Sequence, residues 1–447
     1  MTHEAGRQRA ETVPGRMRRR DFLTHAGKAG AVLAAVAGTD WLTGQAPVFA
    51  QERTLHVLEW SSFVAPADVE RDRQAEEFGK QAGVKVTIEH INANDLPARA
   101  TAAIEGGTGP DILQLLSNYP LLYAEGLDDH NDLIAELGGD EIYSFIREAV
   151  RDGKGVHRGV PNFFGGGANV YRKDIFEEVG IARPPETWDE YLEAGKKLKH
   201  YGMPVGQSLG HTFGDAPGFA YTLLWCFGGK EVDEDGKVAL NSQETTNAVD
   251  FLKEFWVAAC DEGGLAWDDT SNNRAFLAET IAVTLNGASI YFVARNDPRK
   301  AAPGMADRLG HFLIPEGPHG RYHGVGPFSN CITRYSPNKE AARDYIRFVH
   351  QDDNFEKFLV INKGYINGPL PKWQEHPMWE EDPAVTIYRD LPQYGRNHGY
   401  AGPYNRESSE VLAKYIIVDL FAKAVRGDST QSVIEWAERE LKVIYEA

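Results

Sequence analysis

Apolar positions alternate with polar ones in three short runs near the start of the folded part of the chain. Residues 54–58 and 84–88 read as strands, and 111–116 reads as a buried strand after a G-T-G-P turn. Between them, 66–81 carries Val69, Ala75 and Phe78 at helical spacing, and 97–105 forms a smaller helix. This β-α-β-α-β order predicts a parallel, doubly wound α/β lobe. A second dense stretch runs from Arg158 to His200. It predicts an extended run over 159–164, with Pro161 barring helix, then three glycines and a strand over 168–171. A short helix with Ile175, Phe176 and Val179 inside follows and stops at Gly180. A second helix opens at Thr187, with Glu190 spaced to complete a capping box and Trp188, Tyr191, Leu192, Gly195 and Leu198 on its apolar face.

The same reading continues to the end of the sequence. Helices are expected at 217–227, 245–259 and 273–279, and a turn-rich hairpin at 228–242. A strand at 281–285 delivers Asn286-Gly287. An extended return over 304–322 leads to a strand pair at 324–334. Helices at 338–350 and 355–362, a loop at 364–371 and a mostly helical tail over 408–445 complete the pattern.

Composition leaves this picture of ordinary globular packing intact: 42% of the 447 residues are hydrophobic and 25% charged. A formal net charge of −18 argues against nucleic acid and anionic membrane surfaces as partners. Residues 1–50 differ in character, with seven basic against four acidic residues and an apolar run at 29–37 too short to span a bilayer. They read as a secretory leader with a small-residue exit at Val48-Phe49-Ala50. Arg19-Arg20-Asp21-Phe22-Leu23 resembles the twin-arginine export motif, so a monomeric periplasmic protein is expected. Cys226, Cys260 and Cys331 form no C-x-x-C pair. One disulfide among them is left open, and no cofactor is predicted.

Four motifs invite chemistry. Gly206-Gln207-Ser208-Leu209-Gly210 fits the G-x-S-x-G elbow of serine hydrolases, but glycine and proline breaks replace the helix that should follow. Gly165-Gly166-Gly167 leads into a strand without the Lys-Ser/Thr of a phosphate loop. Asp233, Asp235 and Gly236 suggest a calcium loop, yet Ser242 stands where the closing glutamate belongs. His319 and His323 are four apart in a glycine-broken segment that would not align them on metal. No catalytic and no metal site is predicted.

The central stretch is similar to the signature of the extracellular solute-binding proteins of ABC importers, the family that holds the maltose-type sugar binders. The matching pieces are Val160-Pro161, Gly166-Gly167, Tyr171-Arg172-Lys173-Asp174 and Pro184-Pro185-Glu186-Thr187-Trp188-Asp189-Glu190. Further pieces are Gly109-Pro110-Asp111, the 228–242 hairpin and the Ser336 to Ala342 cap. Arg172 replaces the usual asparagine, and Glu279-Thr280 replaces a glycine region. The resemblance implies an α/β two-lobe periplasmic binding protein fold of type II, its doubly wound sheets joined by hinge segments. Residues 51–158 and 315–350 would form one lobe, and 159–314 with 351–447 the other, with crossings near 159–162, 314–322 and 351–355. It implies a non-enzymatic role, capture of a sugar or oligosaccharide, and an ABC permease with its ATPase as partners. A polyol, glycerol phosphate or polyamine is the alternative solute, and a hydrolase using Ser208 a more distant one.

Site residues follow from two arguments. Ligands of open α/β sheets lie beyond the carboxyl ends of strands, which selects Trp60, Ser61, Ser62, Ser117 and Asn118. Aromatic rings stack on sugar C–H faces while short polar side chains reach hydroxyls, which adds Phe163, Phe164, Trp225 and Tyr365. The resemblance adds His211, Phe213 and Asp215 on the loop after 203–205, and Asn286-Gly287.

Overall fold

The computed structural model describes residues 53–297 and 299–447, so the expected leader lies outside the described residues. Two sheets organise the chain from Arg53 onward. The first contains β1 (Thr54–Trp60), β2 (Lys85–Ile91), β3 (Ile112–Leu116), β4 (Val160–Gly165), β10 (Gly326–Ile332) and β11 (Ile366–Asn367). Their order is β11-β4-β10-β3-β1-β2. As the alternation predicts, β1 runs parallel to both β2 and β3. β10 runs antiparallel to β3 and β4. The second sheet has β5 (Ala168–Arg172), β6 (Val205–Gly206), β7 (Val283–Asn286) and β8 (Leu309–Phe312) in the order β6-β7-β5-β8. A two-stranded ribbon pairs β9 (His323–Gly324) with β12 (Gly395–Arg396).

The sheets correct the expected crossings. β4 pairs with β10 from Val160 to Gly165, so the chain is still in the first sheet through 159–162. It enters the second sheet at Ala168, which leaves Gly166-Gly167 as the link. It returns between Phe312 and Gly326. β11 pairs with β4, so the first sheet also takes in residues beyond 351–355. Neither shift is visible locally, because both depend on strands more than 150 residues apart.

Local chemistry explains the helix starts. Thr187 caps the helix Trp188–Tyr201, its hydroxyl accepting from the Glu190 N–H at 3.2 Å. Glu190 does not close the box onto Thr187. Its carboxylate accepts from the Glu186 N–H at 2.8 Å and pairs with Arg183. Trp188 is buried among Tyr191, Phe219, Phe251 and Phe255. In the helix Ala65–Ala82, Ala75 and Phe78 face inward as expected, but Val69 is 68% exposed. The buried side there is polar: Glu70, Arg71 and Gln74 take the inward positions.

The two departures from the family pattern meet in space. Arg172 is buried and bonds Asp174 and Glu279, each at 2.7 Å, and Arg308 bonds the same two acids. Glu279 has φ of 60°, a left-handed conformation that glycine adopts without cost. The ion pairs from Arg172 and Arg308 offset that strain.

Candidate functional site

A cavity of about 170 Å³ lies where the two sheets face each other. Leu116 and Ser117 enter from the carboxyl end of β3, as the strand-end rule requires. The link Gly165 to Gly167 forms part of the floor. Glycine is needed there because a Cβ at Gly166 would come within 2.7 Å of the His323 ring. Phe213, Gly214 and Asp215 come from the loop after β6, and Leu285 to Gly287 from the end of β7. His323, Gly324, Gly326, Phe328, Tyr365 and His398 complete the lining, which contains no lysine or arginine.

The aromatic wall is two layers deep. Phe328 stacks on Phe163 at 4.6 Å and packs against Trp60 at 5.0 Å. Tyr365 stacks on Trp60 at 5.9 Å and meets the edge of Phe63. Phe213 leans on Tyr119 at 5.1 Å, and its N–H donates to Asn94 Oδ1 at 2.9 Å.

The polar groups are held before any ligand arrives. Asp269 accepts from the Gly214 and Asp215 N–H groups and so caps the helix Asp215–Cys226. Asp215 Oδ2 is enclosed without a hydrogen-bond partner. Burial, then the neighbouring Asp269 charge, pushes the Asp215 carboxyl well above the usual carboxylate range. The Asn286 amide is engaged by Asn273 and Ser289. His323 Nε2 accepts from the Gly167 N–H at 2.8 Å, which places its proton on Nδ1, and burial pulls its pKa down to about 4. His398 Nδ1 lies 2.7 Å from Ser117 Oγ, which donates to Asn397 Oδ1 at 2.7 Å, and burial pulls this ring down to about 3.

Of the residues predicted from sequence, Ser117, Phe213, Asp215, Asn286, Gly287 and Tyr365 line this cavity. Trp60 and Phe163 form its second layer. The others lie elsewhere. Ser61 Oγ and the Ser62 N–H bond Asp68 at the entry to the helix Ala65–Ala82. Asn118 is buried, bonding His398 O, Ser408 and Ser409. Phe164 faces away because neighbours on a strand alternate, and it packs against Tyr143 and Phe145. Trp225 is fully buried beneath His398 and Tyr400. His211 is exposed, pairs with Asp419 at 2.8 Å and stacks on Tyr415. Phe328, His323 and His398 were missed. Phe328 carried an aromatic signal beside Gly326; His398 sits in a loop with none.

Ser208 is buried and no described side chain bonds its Oγ, whereas a serine nucleophile needs a base in hydrogen-bond reach. Asp233 Oδ1 accepts from the Asp235 and Lys237 N–H groups, as in a turn. The three cysteines are buried and unpaired.

The family model for bacterial extracellular solute-binding proteins matches residues 73–387. The chain belongs to that family. Membership places this solute-binding protein outside the cytoplasm. It is 31% identical over 348 residues to the diacetylchitobiose binding protein of Streptomyces coelicolor, covering 74% of this chain and 75% of the relative. It is 26% identical over 349 residues to a binding protein of Brucella abortus (strain 2308), covering 74% and 79%. The maltose-bound protein of T. maritima superposes with a TM-score of 0.74 at 22% identity, over 87% of this chain and 99% of that one. The α-D-tagatose-bound binding protein of Thermotoga lettingae gives 0.76 at 18% identity, over 88% and 100%. The two-lobe type II fold is shared with both. Three of these four are described as binding proteins.

Proposed function

We propose that this protein captures a sugar or oligosaccharide between its lobes in the periplasm and delivers it, as a monomer, to the permease and ATPase of an ABC importer. One observation carries the reading: aromatic rings and Asp215 line a single cavity that lacks lysine and arginine. Rings of Phe328, Tyr365 and Phe213 suit the C–H faces of a sugar, and Asp215 suits its hydroxyls. The relative in Streptomyces coelicolor, which binds diacetylchitobiose, supports a carbohydrate. A phosphate-bearing solute would lack cationic partners here, whereas a polyol would meet the same groups as a sugar. Ligand contacts to both lobes would favour the closed state, with Gly166-Gly167 as one hinge. Residues 1–50 would direct export by the twin-arginine route.

The test is a melting screen of the purified protein against sugars, polyols, amines and organic acids. A ligand at about 100 times its Kd adds about 2.7 kcal/mol. Silence from every carbohydrate and polyol refutes the proposal. Chemical turnover of the hit, lost in Ser208→Ala, would install the hydrolase reading instead.

A further inference from the structure

We infer that the cleft takes a ligand of one or two sugar rings, or an alditol of that size, and rejects chains of three or more. This rests on the carbohydrate reading above. The cavity of about 170 Å³ is smaller than the roughly 300–1,000 Å³ of pockets that hold drug-sized ligands. A groove for long oligosaccharides needs room beyond the first units, and several parts of the lining here are held by packed or bonded groups.

Tyr365 and Phe328 cannot retreat, because the buried Trp60 and Phe163 rings stand directly behind them. Past Ser117 and His398, Asn118 seals the wall. Its side-chain amide donates to His398 O at 3.2 Å and Ser408 Oγ at 3.1 Å, and its backbone carbonyl accepts from Ser409 Oγ at 2.7 Å. All three polar side chains are almost wholly buried, so a sugar unit entering there would have to break each bond. At another point of the lining, the Asn94–Phe213 hydrogen bond and the Tyr119 ring hold Phe213 in place. The backbone is equally tight, since a Cβ on Gly287 would sit 2.8 Å from the Tyr365 ring.

Titration calorimetry tests this with the monomer, dimer, trimer and pentamer series of glucose, xylose, arabinose and N-acetylglucosamine, alongside four- to six-carbon alditols. The expected result is binding of one monomer, dimer or alditol, with the trimer of any bound series weaker than its dimer by about tenfold or more. Phe213→Ala, folded by circular dichroism, should narrow that gap. Affinity that holds or rises through trimer and pentamer overturns the inference while leaving the carbohydrate reading in place. Silence at every length is a different failure: it removes the carbohydrate reading, and the inference with it.

Discussion

Replacing Asp215 by Asn should raise the stability of the free protein and lower its affinity for ligand. In the free protein the carboxyl is enclosed, one oxygen has no partner, and Asp269 lies beside it. The folded chain therefore holds this proton to a higher pH than the unfolded chain, where aspartate titrates near 3.8. Between those two values the native state binds more protons, so this group's contribution to stability falls as pH rises. Asn carries no such penalty. The variant should melt higher than wild type at pH 7, and the difference should close toward pH 4. In the complex, a hydroxyl bonded to this protonated carboxyl is worth about 0.5–1.5 kcal/mol, or about 2- to 13-fold in Kd. Differential scanning fluorimetry from pH 4 to 8 reads the first effect, and calorimetry with the best ligand reads the second. Affinity within about twofold of wild type, or a lower melting point at pH 7, refutes the reasoning.

Trp60→Ala removes the ring behind both Tyr365 and Phe328, so denaturant titration should show a loss of about 3–5 kcal/mol, with weakened binding. Arg172→Ala removes charge-assisted bonds worth about 1.5–3 kcal/mol each before compensation, and Glu279→Gly in the same chain should recover part of that loss by relieving the positive φ. Urea midpoints of the two single variants and the double variant check this, and strict additivity would contradict it. His130, His311, His323 and His350 are pulled down to about 4 by burial, against 6.5 in an unfolded chain. They are neutral in the fold, so stability should drop as pH falls from 6.5 toward 4, which urea midpoints across that range measure.

Much of the fold was legible because it is local. Strand alternation placed β1 to β3, and Thr187 announced a helix start that the structure keeps. The cavity lining was legible where a strand end or loop delivers a side chain directly, as with Ser117, Asp215 and Asn286. Facing was not. Adjacent Phe163 and Phe164 look equivalent in sequence, yet only one points toward the cavity wall. Helical spacing put Val69 inside, but the slots on that face were taken by Arg71 and Gln74, which bond each other, with Gln74 also donating to the Asn354 carbonyl. Nothing near residue 398 announces that its ring meets Ser117, 281 positions earlier.

That last contact bears on when the protein becomes able to bind. The wall beyond Ser117 is built by Asn397, His398, Ser408 and Ser409. A nascent chain can pair β1, β2 and β3 long before those residues leave the ribosome, but its pocket has a missing side until they do. Recognition should therefore wait for the last part of the chain. A product clipped near residue 395 would lose that wall together with the buried helices Arg406–Ala413, Ile416–Val425 and Thr430–Tyr445, so it should be blind to its solute, a defect that ligand-coupled stability would report.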